Sequence, residues 1–349
     1  MLSASFQKFQ LQFIRPILTS RGAMAVKNGY FVTVSNGQTS GVGECSFIEG
    51  LSRDDLLMIE HELDRVCRNI QHWESIKEEV YLRFPSIVFA IETALLDFKN
   101  GGIKQLFATD FSAGCKAIPI NGLVWMGSKS FMLEQLKNKL SQGFKCIKIK
   151  VGAIDFDEEC DLIAFIRSHF DAAQMEIRLD ANGAFKANDV FAKMERLSRF
   201  QIHSIEQPIA VNQWALMKEI CEAKIMDVAL DEELIYTVDN ATKLSMLDAI
   251  APQYIILKPS LIGGFDKSDE WIQFAEERNI QWWATSALES NIGLNAIAQW
   301  VSAKQDILVQ GLGTGALYTN NIDSPLVVRG GQLWYDTSLT WKIENNVTV

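Results

Sequence analysis

The sequence predicts an α/β protein: a (β/α)8-type barrel, in effect a modified TIM barrel, with an α+β capping domain formed by the N-terminal region and the C-terminal segment. Three observations lead there. Strand-like runs end at Asn121, Lys150, Asp180, Glu206, Asp231, Lys258, Thr285 and Gln310, and the spacing between them stays within 24 to 30 residues. Eight such units, each long enough for one strand and one crossover helix, suit a closed parallel barrel better than a doubly wound open sheet. The chain of 349 residues also exceeds the roughly 250 that a barrel needs. Finally, the first 110 or so residues have a different texture.

Residues 3–13 alternate polar and apolar through Phe9, Leu11 and Phe13, and the run Gly29 to Val34 is followed by Asn36-Gly37. That pattern reads as an antiparallel meander with a hairpin. From Ser52 to Ile70, Leu56, Ile59, Leu63 and Val66 recur at helical spacing behind a Ser-x-x-Asp start, and Ser86 to Phe98 repeats the pattern. Residues 1–112 are therefore expected to form the cap. Residues 113–316, with amphipathic stretches such as Asp189 to Phe200, make the catalytic barrel. Residues 317–349 carry a Gly330-Gly331 turn between strand-like runs and are expected to return to the cap.

Composition narrows the function. Hydrophobic residues at 48% and charged residues at 22% exclude a disordered, collagenous or coiled-coil chain. A net charge of -10 opposes binding to nucleic acid or to an anionic membrane, since both need a basic surface. The six cysteines form no CxxC pair, which indicates neither a disulfide framework nor a thiolate zinc site. No leader-like apolar core opens the chain and no run reaches 18 apolar residues, so the expected location is cytoplasmic. Nothing in the pattern specifies an oligomeric state.

Barrel enzymes take their reacting groups from the C-terminal ends of different strands, so the residues closing these runs carry the functional argument. Lys145 to Val151 sets lysines at alternate positions. A strand's period of two puts Lys148 and Lys150 on one face, opposite Ile147, Ile149 and Val151. The apolar face suits packing beneath helices, which turns both lysines into the barrel; the alternative is an edge strand whose lysines meet water. Inside, a like charge and desolvation both lower a lysine pKa toward the range useful for acid/base work.

The third run places Arg178 and Asp180 on one face and continues Ala181-Asn182-Gly183. The fourth ends at Glu206 and the fifth at Asp231. Each acid alone reads as a helix cap or turn former. Together, three adjacent strands deliver carboxylates at one height, and their repulsion calls for a cation. An all-oxygen set without histidine favours Mg²⁺, or Mn²⁺, over zinc. Lys258 ends the sixth run across the barrel from Lys150, as a second acid/base or electrostatic group. Gly311-Leu312-Gly313-Thr314-Gly315 lacks dinucleotide-loop spacing, and its backbone N–H groups suit a substrate anion instead.

KIKVG at Lys148 to Gly152, LDANG at Leu179 to Gly183, EQP at Glu206 to Pro208, LDEE at Leu230 to Glu233 and LKPS at Leu257 to Ser260 resemble the muconate-lactonizing-like subgroup of the enolase superfamily. TSRG at Thr19 to Gly22, Arg178, TSALES at Thr285 to Ser290 and the run from Gly311 to Leu326 look most like its o-succinylbenzoate synthase family. The resemblance implies Asp180, Glu206 and Asp231 as metal ligands, Lys150 as base then acid, and Lys258 facing the enediolate. It points to Lys148, Arg178, Asn182, Ser20, Arg21, Thr285, Ser286, Gly311 and Gly313 as contacts for a small carboxylate substrate. The implied reaction is a one-sided dehydration. N-acylamino-acid racemases and dipeptide epimerases of the subgroup are the enzyme alternatives. The epimerases typically carry an Asp-x-Asp after the eighth strand, which is absent here. A non-catalytic binding barrel is the alternative outside enzymes.

Overall fold

A computed structural model describes residues 1–19 and 22–343. Three antiparallel strands open the chain in the order β1 (Ser3–Thr19), β2 (Gly22–Ser35), β3 (Ser40–Ser46). The turn at Asn36-Gly37 forms as its residues dictate: Gly37 adopts φ 89° and Asn36 Oδ1 accepts from the Gln38 and Thr39 amides. β1 is longer than its alternation suggests, because it continues through a register shift between Gln12 and Ile17.

Three cap helices follow: α1 (Ile59–Arg68), α2 (Trp73–Arg83) and α3 (Pro85–Lys99). The helix expected from Ser52 begins only at Ile59. α2 escapes the sequence reading since it buries just Trp73, Val80 and Tyr81. α3 lies hard against β3, where a Cβ on Gly43 would stand 2.0 Å from the Ala90 carbonyl oxygen.

The short β4 (Ile118–Pro119) precedes seven parallel strands: β5 (Gly122–Val124), β6 (Cys146–Lys150), β7 (Glu176–Asp180), β8 (Ser204–Glu206), β9 (Asp227–Leu230), β10 (Tyr254–Leu257) and β11 (Gln281–Ala284), hydrogen-bonded in sequence order. The intervening helices are α4 (Lys129–Ser141), α5 (Phe156–Arg167), α6 (Val190–Ser198), α7 (Trp214–Glu222), α8 (Glu232–Tyr236), α9 (Asn240–Ile250), α10 (Pro259–Ile262) and α11 (Gly264–Glu276), with α12 (Asn291–Ser302) after β11. Ile147, Ile149, Ile177, Leu179, Ile205 and Leu230 pack in the core between strands and helices. This is the continuous apolar burial expected of a parallel sheet.

Two expected strands differ. The first runs past Asn121 to Val124. The eighth is reduced to two bridging residues: Gln310 pairs in parallel with Ile120 and Gly311 with Thr285. The Gln310 amide donates to the Pro119 carbonyl and the Gly311 amide to that of Ala284, while Gln310 Oε1 accepts from the Ala284 amide at 2.7 Å. These bonds close the ring between its first and last strands.

The C-terminal segment divides its contacts. Tyr318 bridges to Phe13, and Asn320 Nδ2 donates to the Gln10 carbonyl on the cap. The hairpin of β12 (Leu326–Arg329) and β13 (Gln332–Tyr335) instead pairs with β4 at the barrel. Among the described residues no helix is long and apolar enough to cross a membrane.

Candidate active site

Parallel pairing sets Lys150, Asp180 and Glu206 side by side on β6, β7 and β8. Asp231 and Lys258 follow directly after β9 and β10. The lysines turn inward, as their alternation with Ile147 and Ile149 requires. Lys148 Nζ lies 2.8 Å from Asp180 Oδ2 and 2.6 Å from Glu206 Oε2. Lys150 Nζ donates to Asp180 Oδ2 and to Asn182 Oδ1, both at 2.6 Å. Lys258 Nζ pairs with Asp231 Oδ2.

The protein's own ammonium groups lie among the three carboxylates and pair with them, and among the described residues no three His, Cys, Asp or Glu side chains are grouped as a preformed metal site. Anionic valences remain, however. Glu206 Oε1, Asp231 Oδ1 and Glu232 Oε2 are buried with no hydrogen-bond partner, and such oxygens carry a desolvation cost of about 1–3 kcal/mol each unless a cation or donor meets them.

The charges interact strongly. Burial alone would raise the Asp180 carboxyl, yet Lys148 and Lys150 outweigh it and hold the group well below the usual carboxylate range. Burial works against the Lys148 charge, but Asp180, Glu206 and Asp231 together raise its pKa. Glu206 goes the other way: burial, reinforced by Asp180, pushes it well above its ordinary value. Burial also opposes the Lys258 charge, and Asp231 and Glu206 overcome it.

A cavity of 290 Å³ sits over this cluster between barrel and cap. Lys148, Lys150, Asp180, Asn182, Lys258, Thr285, Ser286, Gly311 and Gly313 line it. Glu206 and Asp231 do not; they are buried alongside Lys148 and Lys258. Ile48 and Leu51 reach in from the cap, and Trp283 contributes at the level of β11. Ser20 and Arg21 lie outside the described residues.

Arg178 is not a cavity residue, contrary to the sequence expectation. It is 2% exposed and bonds to Glu176 Oε1 at 2.6 Å and to the Val309 carbonyl at 2.8 Å. Its guanidinium stacks 4.0 Å from the Trp283 ring centre. Sharing a strand face with Asp180 fixed its direction inward, but two residues of rise put it about 6.6 Å lower in the barrel. It supports a wall of the site.

Glu232 is the residue missed. It lines the cavity, and its Oε1 accepts from Asn182 Nδ2 at 2.8 Å. Strand alternation would send the neighbour of Asp231 outward, but β9 ends at Leu230 and α8 begins at Glu232, so the helical turn brings it back. The left-handed φ of 43° at Asn182 is also functional in placement, since it aims the amide between Lys150 and Glu232.

Residues 132–338 match the family model described as enolase C-terminal domain-like. The o-succinylbenzoate synthase of Desulfotalea psychrophila is 46% identical over 95% of this chain and 98% of its own length. The crystal structure of MenC from the same organism superimposes with a TM-score of 0.84, covering 95% of this chain and 99% of that one. The L-Ala-D/L-Glu epimerase of Bacillus subtilis shares the fold with a TM-score of 0.83, at 19% identity over 97% of this chain and 96% of its own. A fold, a family model and a near full-length relative all agree, and the chain belongs to the o-succinylbenzoate synthase family of the enolase superfamily.

Proposed function

We propose that this protein is a metal-dependent lyase that dehydrates 2-succinyl-6-hydroxy-2,4-cyclohexadiene-1-carboxylate to o-succinylbenzoate, in the cytoplasm, as a step of menaquinone biosynthesis. The observation that carries the reading is the convergence of Lys150 and Lys258 on one cavity beside Asp180, within a chain 46% identical to a synthase over nearly its whole length. Asp180, Glu206 and Asp231 would hold Mg²⁺, with Mn²⁺ as the alternative; the buried, unpartnered oxygens of Glu206 and Asp231 fit a hard cation. The bound ion would supply positive charge against the negative charge that builds on the substrate carboxylate.

The chain's own groups do the rest. Lys150, held between Asp180 and Asn182, takes the proton α to the carboxylate. The ammonium groups of Lys148 and Lys258 stabilise the enediolate in a cavity to which Ile48, Leu51 and Leu317 contribute apolar walls. Lys150 then returns its proton to the departing β-hydroxyl, since proton and hydroxyl leave from one face. The backbone N–H of Gly313 would receive the distal carboxylate, since the Gly311 amide is bonded to the Ala284 carbonyl and the Thr285 and Ser286 hydroxyls to the Ser286 carbonyl and Glu289, which makes those residues walls of the site.

The test is direct. Purified protein with Mg²⁺ should convert the cyclohexadiene at a rate far above any interconversion of D- and L-N-succinylamino acids. Racemisation without dehydration would establish the racemase alternative instead.

A further inference from the structure

A second cavity, of 480 Å³, opens where β1 of the cap meets the barrel mouth. It shares Trp125, Gln135 and Leu317 with the active-site cavity, so the same side chains separate the two spaces. Gln135 grips the Trp125 backbone from both directions, accepting from its amide and donating to its carbonyl at 3.0 Å each. The Trp125 side chain itself is only half-buried.

Folding accounts poorly for the outer wall. Ile14, inside the register shift of β1, is 59% exposed, and Leu18, just beyond it, 46%. Clustered apolar surface left in water marks a binding surface more often than a packing defect. Arg15 stands between them in the same wall, exposed, and makes no hydrogen bond or ion pair within the described residues. A net charge of -10 repels a dicarboxylate at long range. Within a Debye length of about 8–10 Å, the local sign at the entrance decides instead.

We propose that this second cavity is the vestibule by which the dicarboxylate substrate enters the barrel, with Arg15 drawing its charge and Ile14 and Leu18 receiving its ring before it passes Trp125. The inference rests on the dehydratase reading above. Its test needs no turnover: stopped-flow association of o-succinylbenzoate with the full chain, followed by tryptophan fluorescence. Arg15→Glu should slow association about tenfold at low salt, Arg15→Gln should slow it less, and both differences should shrink as salt rises. Dissociation should hardly change, and in turnover kcat/KM should fall with the association rate while kcat stays. Equal association rates for the three proteins at low salt, or an effect confined to dissociation, would overturn the vestibule. Arg15→Gln keeps the test open if the charge reversal harms folding. Turnover by the unmodified enzyme with unchanged association in the variants sinks the vestibule alone. Failure of o-succinylbenzoate to bind the unmodified chain sinks the dehydratase reading as well.

Discussion

Asp54 offers a sharp test of how the cap is held. Its carboxylate is buried at 6% exposure, and Oδ1 accepts from the Ser86 amide at 3.1 Å and the Ser86 hydroxyl at 2.7 Å, which anchors the first turn of α3. Oδ2 has no partner. Burial is the largest influence and raises the pKa from 3.8 to about 6, although Ser86 and the nearby Arg53 pull it down. A carboxyl whose folded pKa is raised favours folding fully below the unfolded value, and that contribution disappears as pH rises through the folded value. A shift of this size corresponds to about 3 kcal/mol. Asp54→Asn keeps the oxygen acceptor and never ionises. Its stability relative to the unmodified protein should therefore climb by about 2.4 kcal/mol between pH 4 and pH 7, whatever constant offset the unpartnered amide adds. Urea midpoints for both proteins across that window measure it. Parallel stability profiles would refute the reasoning, because Asp54 would then titrate alike folded and unfolded.

Three further outcomes are expected. Exhaustive chelation should abolish activity and added Mg²⁺ restore it; at about 100 times its Kd the ion should also stabilise the unmodified protein by ~2.7 kcal/mol in melts, an effect that Asp231→Asn should lose. Lys150→Ala should eliminate both dehydration and exchange of the substrate α-proton in deuterated water, whereas Lys258→Ala should slow dehydration severely; exchange lost for only one isomer of an N-succinylamino acid in Lys258→Ala would speak for two-sided chemistry. Gly152→Ala should destabilise the protein by about 1–3 kcal/mol in urea titrations, since Gly152 adopts φ +90° and a Cβ there would meet the Ala184 Cβ at 2.4 Å. Retained stability would mean that the loop after Lys150 yields easily.

How legible the molecule is from its sequence depends on what each element buries. β6, β7 and β10 are apolar on one face or both and end in charge, so their positions and inward residues follow from a period of two. The eighth position is legible from the apolar run Ile307 to Val309 before Gln310, but its length is not, because only two bridging residues pair there. α2 hid for a similar reason, since it offers the core three side chains over eleven residues. Within the site, direction was readable and depth was not. Arg178 and Asp180 share a face, yet only Asp180 reaches the cavity, and no local pattern encodes that difference. Glu232 carries no strand signal of its own: it opens α8, and the helical turn rather than any alternation brings it to the cavity.

The seam at Gln310 also bears on how this chain tolerates being cut. Every other neighbouring pair of strands in the ring is joined by two to five consecutive paired residues, whereas the last junction rests on single pairs at Ile120 and Thr285, with one glutamine side chain standing in for a missing rung. The connection from Lys304 to Asp306, just before it, is a surface turn outside any regular element. Native ends joined by a linker and new ends opened at that turn would leave β5 through β11 contiguous in one permuted chain. The circle would then be broken where it is already thinnest, and the lysines and acids of the cavity, all on the uninterrupted arc, would keep their neighbours.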